Sequence, residues 1–275
     1  MSLRFAYNTN GAANHRLTDA VAIIADADYD GIALTLDHHH LDPMEQGWER
    51  RAEALARDLA ARRLGCVIET GARYLLDPRA KHEPTLLTPT PEGRDRRVAF
   101  LNRASDIGAI LGAEAISFWA GVPRPGVEHE QARAWLREGL GRVLEYAQSR
   151  GVTAALEPEP GMLVETVDDW SALGLSGLTL ALDLGHLLVT GEREPAAAVR
   201  EFAPQLGTVA IEDMARGTHI HLPFGEGDME IPACLSALEE IGFSRLVCVE
   251  LSRESHRADT MIPQSLRWLQ ECRAK

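Results

Sequence analysis

The sequence predicts an α/β protein, a single (β/α)8 TIM barrel over residues 1–275. Three observations predict it. Strand-like and helix-like segments alternate eight times along the chain. Key strand-like segments are continuous runs of small and β-branched apolar residues, the pattern of a strand buried on both faces. Four of these runs, at 154–157, 180–183, 209–212 and 247–250, end in a carboxylate: Glu157, Asp183, Glu212 and Glu250. A parallel barrel carries all four acids to one rim, the C-terminal end where such barrels do their chemistry.

The elements follow in order. The first strand is read at 4–7 and a short helix at 19–27. The second strand is read at 31–36, and 48–64 is a helix with apolar positions at helical spacing. A third strand at 66–69 precedes a helix at 98–111, and a fourth at 115–119 precedes the clearest helix, 130–150. Gly151 ends that helix as a typical residue past the C-cap. The fifth strand ends at Glu157, and Thr166 is an N-cap for a helix at 167–173. The sixth ends at Asp183, and 195–202 follows with proline at its start. The seventh ends at Glu212 before a helix at 232–241, and the eighth at Glu250 before 260–272. Short returns between such units give right-handed parallel crossovers. Two connections are long: 71–93, proline-rich and carrying Arg73, Arg79, Lys81 and His82, and 213–230, carrying His219 and His221. Loops of that length in a compact domain are usually lids or binding segments.

Composition narrows the function. Barrels of this type run to about 250 residues as one domain, so the length does not require a second. The net charge of −13 disfavours a nucleic-acid partner. The four cysteines, Cys66, Cys234, Cys248 and Cys272, show no CxxC spacing and read as buried thiols in a reducing compartment. Residues 1–10 lack the apolar region of a signal peptide, and no apolar run approaches the ~20 residues of a membrane helix. The expectation is a soluble cytoplasmic protein with no membrane partner, a small polyol or sugar as substrate, and homo-oligomerisation left open.

Converging carboxylates repel, and buried charges are tolerated only when paired or on a metal. Glu157, Asp183 and Glu250 therefore read as metal ligands. Asp183 stands three residues before His186, and carboxylate with imidazole suits Mn, Co, Zn or Fe. Glu212 has three readings: a fourth oxygen, a substrate contact one layer higher, or a rim ion pair. An extended backbone is expected to point His219 and His221 to opposite sides, with His221 reaching the mouth. Of the three histidines after the second strand, His40 is the expected mouth residue. Trp119 is expected to floor a sugar, and Arg73 to meet an anionic group of the substrate.

The segments 155–160, 182–186, 211–214, 221–228 and 249–250 make the chain similar to the xylose isomerase-like TIM-barrel superfamily of sugar phosphate isomerases and epimerases, with the apurinic-site endonuclease as a relative. The resemblance implies a divalent metal (Mn, Co, Mg or Zn) held by Glu157, Asp183, a seventh-strand position and Glu250, the two glutamates serving as acid and base. It makes His186 a substrate contact or a ligand of an additional metal. The seventh-strand histidine of the family is replaced by Ala210, and Thr208 stands where an earlier histidine is usual. Glu212 or His221 is left to fill the gap, or His186, His219 and His221 form a separate imidazole site with more than one zinc. The resulting expectation is a metal-dependent sugar or cyclitol isomerase, epimerase or related lyase. The alternatives are a multi-zinc phosphoester hydrolase and a barrel that only binds a metabolite.

Overall fold

The computed structural model describes residues 2–273. In chain order the elements are β1 (Arg4–Asn8), α1 (Leu17–Asp26), β2 (Gly31–Thr35), α2 (Trp48–Arg62), β3 (Gly65–Glu69), α3 (Pro91–Leu111), β4 (Ile116–Trp119), α4 (His129–Ser149), β5 (Ala154–Glu157), α5 (Val167–Leu173), β6 (Thr179–Asp183), α6 (Leu184–Thr190), α7 (Pro195–Glu201), β7 (Leu206–Ile211), β8 (Asp213–Ala215), β9 (Thr218–Leu222), α8 (Ile231–Glu240), β10 (Leu246–Val249) and α9 (Ala258–Arg273). Eight parallel strands close into a barrel in the order β1-β10-β7-β6-β5-β4-β3-β2, and β8 and β9 form a separate antiparallel hairpin. Among the described residues no helix is long and apolar enough to cross a membrane.

The strands read as unbroken apolar runs because both of their faces are covered. Inside the barrel, Ala6, Ala33, Val67, Leu246 and Cys248 form their own small cluster. Outside, alternate residues such as Phe5, Ile32, Ile68 and Val247 join the large core beneath the helices. A narrow cylinder admits mainly small side chains inward until its mouth, where polar residues begin. The register sets that row: Thr35 lies beside Glu69, Trp119 beside Glu157, and Asp183 beside Ala210.

Three local readings need correction. The helix expected from residue 98 begins at Pro91, because Thr90 caps Gly93 and proline occupies the first turn. Its early turns are polar and solvated, which hid them from the apolar periodicity. A short helix, α6, follows Asp183 directly, capped by that carboxylate. The segment after β7 is a hairpin rather than a loop, turning at Gly217 with φ 69°. Asp213 pins its return: its carboxylate accepts from the backbone N–H groups of Met214, Gly225 and Met229.

Candidate active site

A cavity of about 540 Å³ opens at the C-terminal end of the barrel. Glu69, Glu157, Glu159 and Glu250 line it, with His186, His219 and His221 on one flank and Arg73, Lys81, His82, Trp119 and Arg253 around the opening. The volume falls within the range of small-molecule sites.

Asp183 and Glu212 lie beneath this lining, their side chains fully buried. Asp183 serves two purposes. Its Oδ1 accepts from the N–H groups of Gly185 and His186 at 2.8 and 3.0 Å, capping α6. Its Oδ2 has no hydrogen-bond partner, nor do Oε1 and Oε2 of Glu212 or Nδ1 of His221. One ligand atom from each of Asp183, Glu212 and His221 lies within 4.8 Å of the others. Imidazole nitrogens stand beyond hydrogen-bond reach of both acids, His221 Nδ1 3.9 Å from Glu212 Oε2 and His186 Nε2 3.6 Å from Asp183 Oδ2, and two buried carboxylates so placed are costly unless a proton or a cation offsets their charge. The donor set, two carboxylates and an imidazole, therefore fits a divalent cation. Gly185 makes room for the Glu212 carboxylate, since a Cβ there would stand 2.4 Å from Glu212 Oε1.

The seventh-strand position beside Asp183 is Ala210, and no ligand reaches the mouth from it. Glu212, just past the end of β7, and His221, from the hairpin, both approach Asp183. Of the three readings of Glu212, a rim ion pair disagrees with full burial, and it is absent from the cavity lining.

His219 and His221 do not diverge. They occupy one side of β9, because side chains two apart on a strand share a face. Their rings lie 4.7 and 6.1 Å from that of His186. His186 is buried; its Nδ1 contacts the Pro158 carbonyl and its Nε2 lies 3.0 Å from His219 Nε2. Since a carbonyl only accepts, Nδ1 holds the proton in neutral His186 and Nε2 presents its lone pair.

Electrostatics follow from burial and crowding. Burial, then Glu159, Glu250, Glu69 and Asp183, holds the Glu157 carboxyl well above its ordinary range. Burial and Glu250 do the same to Glu69 despite a hydrogen bond with Ser117. Burial and Asp183 raise Glu212. Burial would lower His221, but Glu212, Glu250 and Asp183 outweigh it and push the imidazole up to about 10. Burial with His186 and His221 brings His219 down to about 4. A cation held by Asp183, Glu212 and His221 would have to displace the His221 proton, which would couple its binding to pH.

Glu157 and Glu250 are both at the mouth, and Asn10 Nδ2 donates to Glu250 Oε1 at 2.8 Å. Trp119 lines the cavity with the edge of His82 against it at 5.1 Å and the Arg97 guanidinium over its ring at 4.5 Å. Arg73 lines the cavity as well. His40 does not: it is buried behind the mouth, its Nδ1 3.2 Å from Thr9 Oγ1. Sequence reasoning passed over Glu69 and Glu159. Glu69 closes strand 66–69 with the same apolar-run-then-acid pattern as the others, a signal strong enough to find it. Glu159 follows Glu157 across Pro158 and has no strand-end signal of its own.

The fold and the cavity define a (β/α)8 barrel with an acid- and imidazole-lined mouth. The chain belongs to the xylose isomerase-like TIM barrel family, whose model matches residues 21–272. Solved structures with the same fold include the 3-keto-D-glucoside 4-epimerase of E. coli, at 16% identity and TM-score 0.79, covering 98% of this chain and 100% of that one. The probable 3-DHS dehydratase of petrobactin synthesis in Bacillus anthracis is similar at 13% identity and TM-score 0.78, covering 98% of this chain and 99% of that one. The IolI protein, solved with a zinc atom, is similar at 17% identity and TM-score 0.74, covering 98% of this chain and 96% of that one. Among curated proteins none matches the chain.

Proposed function

We propose that the protein is a divalent-metal-dependent isomerase or epimerase of a sugar or related polyol, with Glu157 and Glu250 as acid and base. One observation carries this reading: both glutamates line a cavity that also meets His221, and His221 clusters with the buried Asp183 and Glu212 through atoms that make no hydrogen bond. A divalent cation held there, at the point where His221 joins the cavity lining, would supply polarisation of a carbonyl and its neighbouring hydroxyl, which acidifies the adjacent C–H. Glu157, whose carboxyl is held above its ordinary range by burial and its carboxylate neighbours, is suited to deliver a proton to the carbon. Glu250, fixed by the Asn10 amide, is oriented to remove one. Glu69, Glu159 and His186 crowd the same space and favour hydroxyl-rich ligands over apolar ones. Trp119 offers its ring to the C–H face of the substrate. A lyase starts from the same proton removal and differs only in what leaves next.

The test is exchange of substrate C–H for solvent deuterium, followed by NMR over a panel of ketohexoses and keto-polyols with added Mn²⁺. Wild type incorporates deuterium into at least one member, and Glu157→Gln and Glu250→Gln each slow this by about 10²-fold or more. Full exchange in both variants removes the acid/base pair from consideration.

The cluster of His186, His219 and His221 favours a second reading, a multi-zinc phosphoester hydrolase. Metal analysis of the purified protein separates the two. Two or three tightly held zincs per chain favour hydrolysis; one exchangeable ion favours proton transfer.

A further inference from the structure

Among the described residues, four groups of ligand-type side chains bring donor atoms within 4.8 Å of one another. Three of these groups share His186 or His221 and meet at or beneath the cavity. The fourth, Asp37, His38 and His39, stands apart: it follows β2, and none of its residues lines the cavity. It belongs to the run of three histidines at 38–40, for which the chemistry at the mouth has no use.

Consecutive side chains on a strand point to opposite faces, so an extended Asp-His-His run would scatter its donors. Here the backbone turns instead. The His40 N–H donates to the Asp37 carbonyl at 3.2 Å, closing a turn with His38 and His39 at its centre. The turn is fixed at both ends. Leu36 and Leu41 are in the core, His40 is buried, and Arg51 donates to the His40 carbonyl at 2.8 Å. An anchored backbone presents the donors already gathered, which lowers the cost of ordering them around a ligand.

The Asp37 carboxylate is buried, while the His38 side chain is 73% exposed. Asp37 Oδ1 accepts from the His38 backbone N–H at 2.7 Å and lies 2.7 Å from His38 Nδ1. Two ligand atoms on one zinc, each about 2.0–2.2 Å from it, stand roughly 3 Å apart. Oδ1 and Nδ1 are thus already near the spacing of two atoms on a shared ion. The His39 ring meets that of His38 edge to face, their centroids 4.8 Å apart. The charge lies inside and the imidazoles outside, so solvent can reach the remaining positions of an ion. One carboxylate with two imidazoles suits Zn²⁺ or Cu²⁺ rather than Ca²⁺ or Mg²⁺, which take oxygen ligands.

We propose that Asp37, His38 and His39 form a separate metal site on the connection after β2, taking Zn²⁺ or a similar divalent transition ion with water completing its shell. The ion ties this turn together just past Thr35, the β2 residue that lines the cavity. The site goes beyond the proton-transfer reading and does not depend on it. It needs neither the buried set of Asp183, Glu212 and His221 nor turnover, so the two fail separately.

The experiment is equilibrium dialysis of the metal-stripped full chain against Zn²⁺, beside the double variant His38→Ala/His39→Ala and the single variant Glu212→Gln. Wild type binds one equivalent more than the double variant, and that equivalent persists in Glu212→Gln, which alters only the buried set. His38→Ala and His39→Ala each weaken it by about tenfold or more. Equimolar Ca²⁺ does not displace it. His256→Ala, at an exposed histidine of another connection, leaves it unchanged and controls for adventitious binding to surface imidazole. Equal zinc in wild type and double variant, its loss in Glu212→Gln, displacement by Ca²⁺, or an equal loss in His256→Ala overturns the proposal. Zinc counted in the double variant reports the cavity ions alone, which keeps the test of the proton-transfer reading separate.

Discussion

Single residues carry the departure of this chain from the pattern its motifs suggest. The methyl group of Ala210 stands beside Asp183 where an imidazole is expected. Glu212 and His221 then come close to Asp183 from outside the barrel strands. Asp183 shows why a strand-end acid is ambiguous in sequence: one oxygen caps a helix and the other faces the cluster without a hydrogen bond, 3.6 Å from His186 Nε2. His40 is the opposite case, a histidine next to a strand end that the fold withdraws from the mouth. Burial, with His39 beside it, brings its imidazole down to about 4 from 6.5. The folded chain then resists a proton that the unfolded chain accepts. Its contribution to stability is complete above pH 6.5 and is lost as pH falls toward 4, by at most roughly 3 kcal/mol. His40→Gln is expected to flatten the urea-unfolding midpoint across that interval. An unchanged slope would place the acid sensitivity elsewhere.

At the scale of elements, capping chemistry was the most legible signal. The helix read at 167–173 is the helix observed, Val167–Leu173, because Thr166 and Asp169 close a reciprocal capping box. Thr166→Ala is expected to cost about 1 kcal/mol in urea unfolding, the usual loss for an N-cap. No measurable change would mean that tertiary packing alone holds α5. Apolar periodicity alone was misleading for α3: the helix starts at Pro91, capped by Thr90, and not at its first apolar residue. The β8–β9 hairpin was illegible because β9 faces solvent in part and pairs only with a three-residue strand. Short, half-exposed strands carry little apolar alternation to read.

Over the whole molecule, closure of the sheet concentrates charge. Eight strand ends converge on a mouth that gathers buried acids with few donors, and such an arrangement is strained without a counter-charge. The metal-stripped protein is therefore expected to melt below the Zn²⁺- or Mn²⁺-loaded form by about 5 °C or more at saturating metal. Glu212→Gln, which removes one carboxylate and adds an amide donor toward Asp183, is expected to shrink that gap. Equal melting temperatures for stripped and loaded wild type would mean that no metal is held.

The order of the eight barrel strands, their parallel closure and the end of the barrel that bears acids were legible in the sequence alone, whereas α6 and the β8–β9 hairpin were not. Each depends on local pattern: runs buried on both faces, helical spacing, caps, and a carboxylate where the apolar run stops. Which of those acids meet, and what replaces the missing seventh-strand imidazole, was decided only by tertiary structure. Glu212, His221 and Asp183 approach one another through the register of β6 against β7 and the fold-back of a hairpin. Those distances depend on how separate segments pack, and no spacing along one chain encodes them.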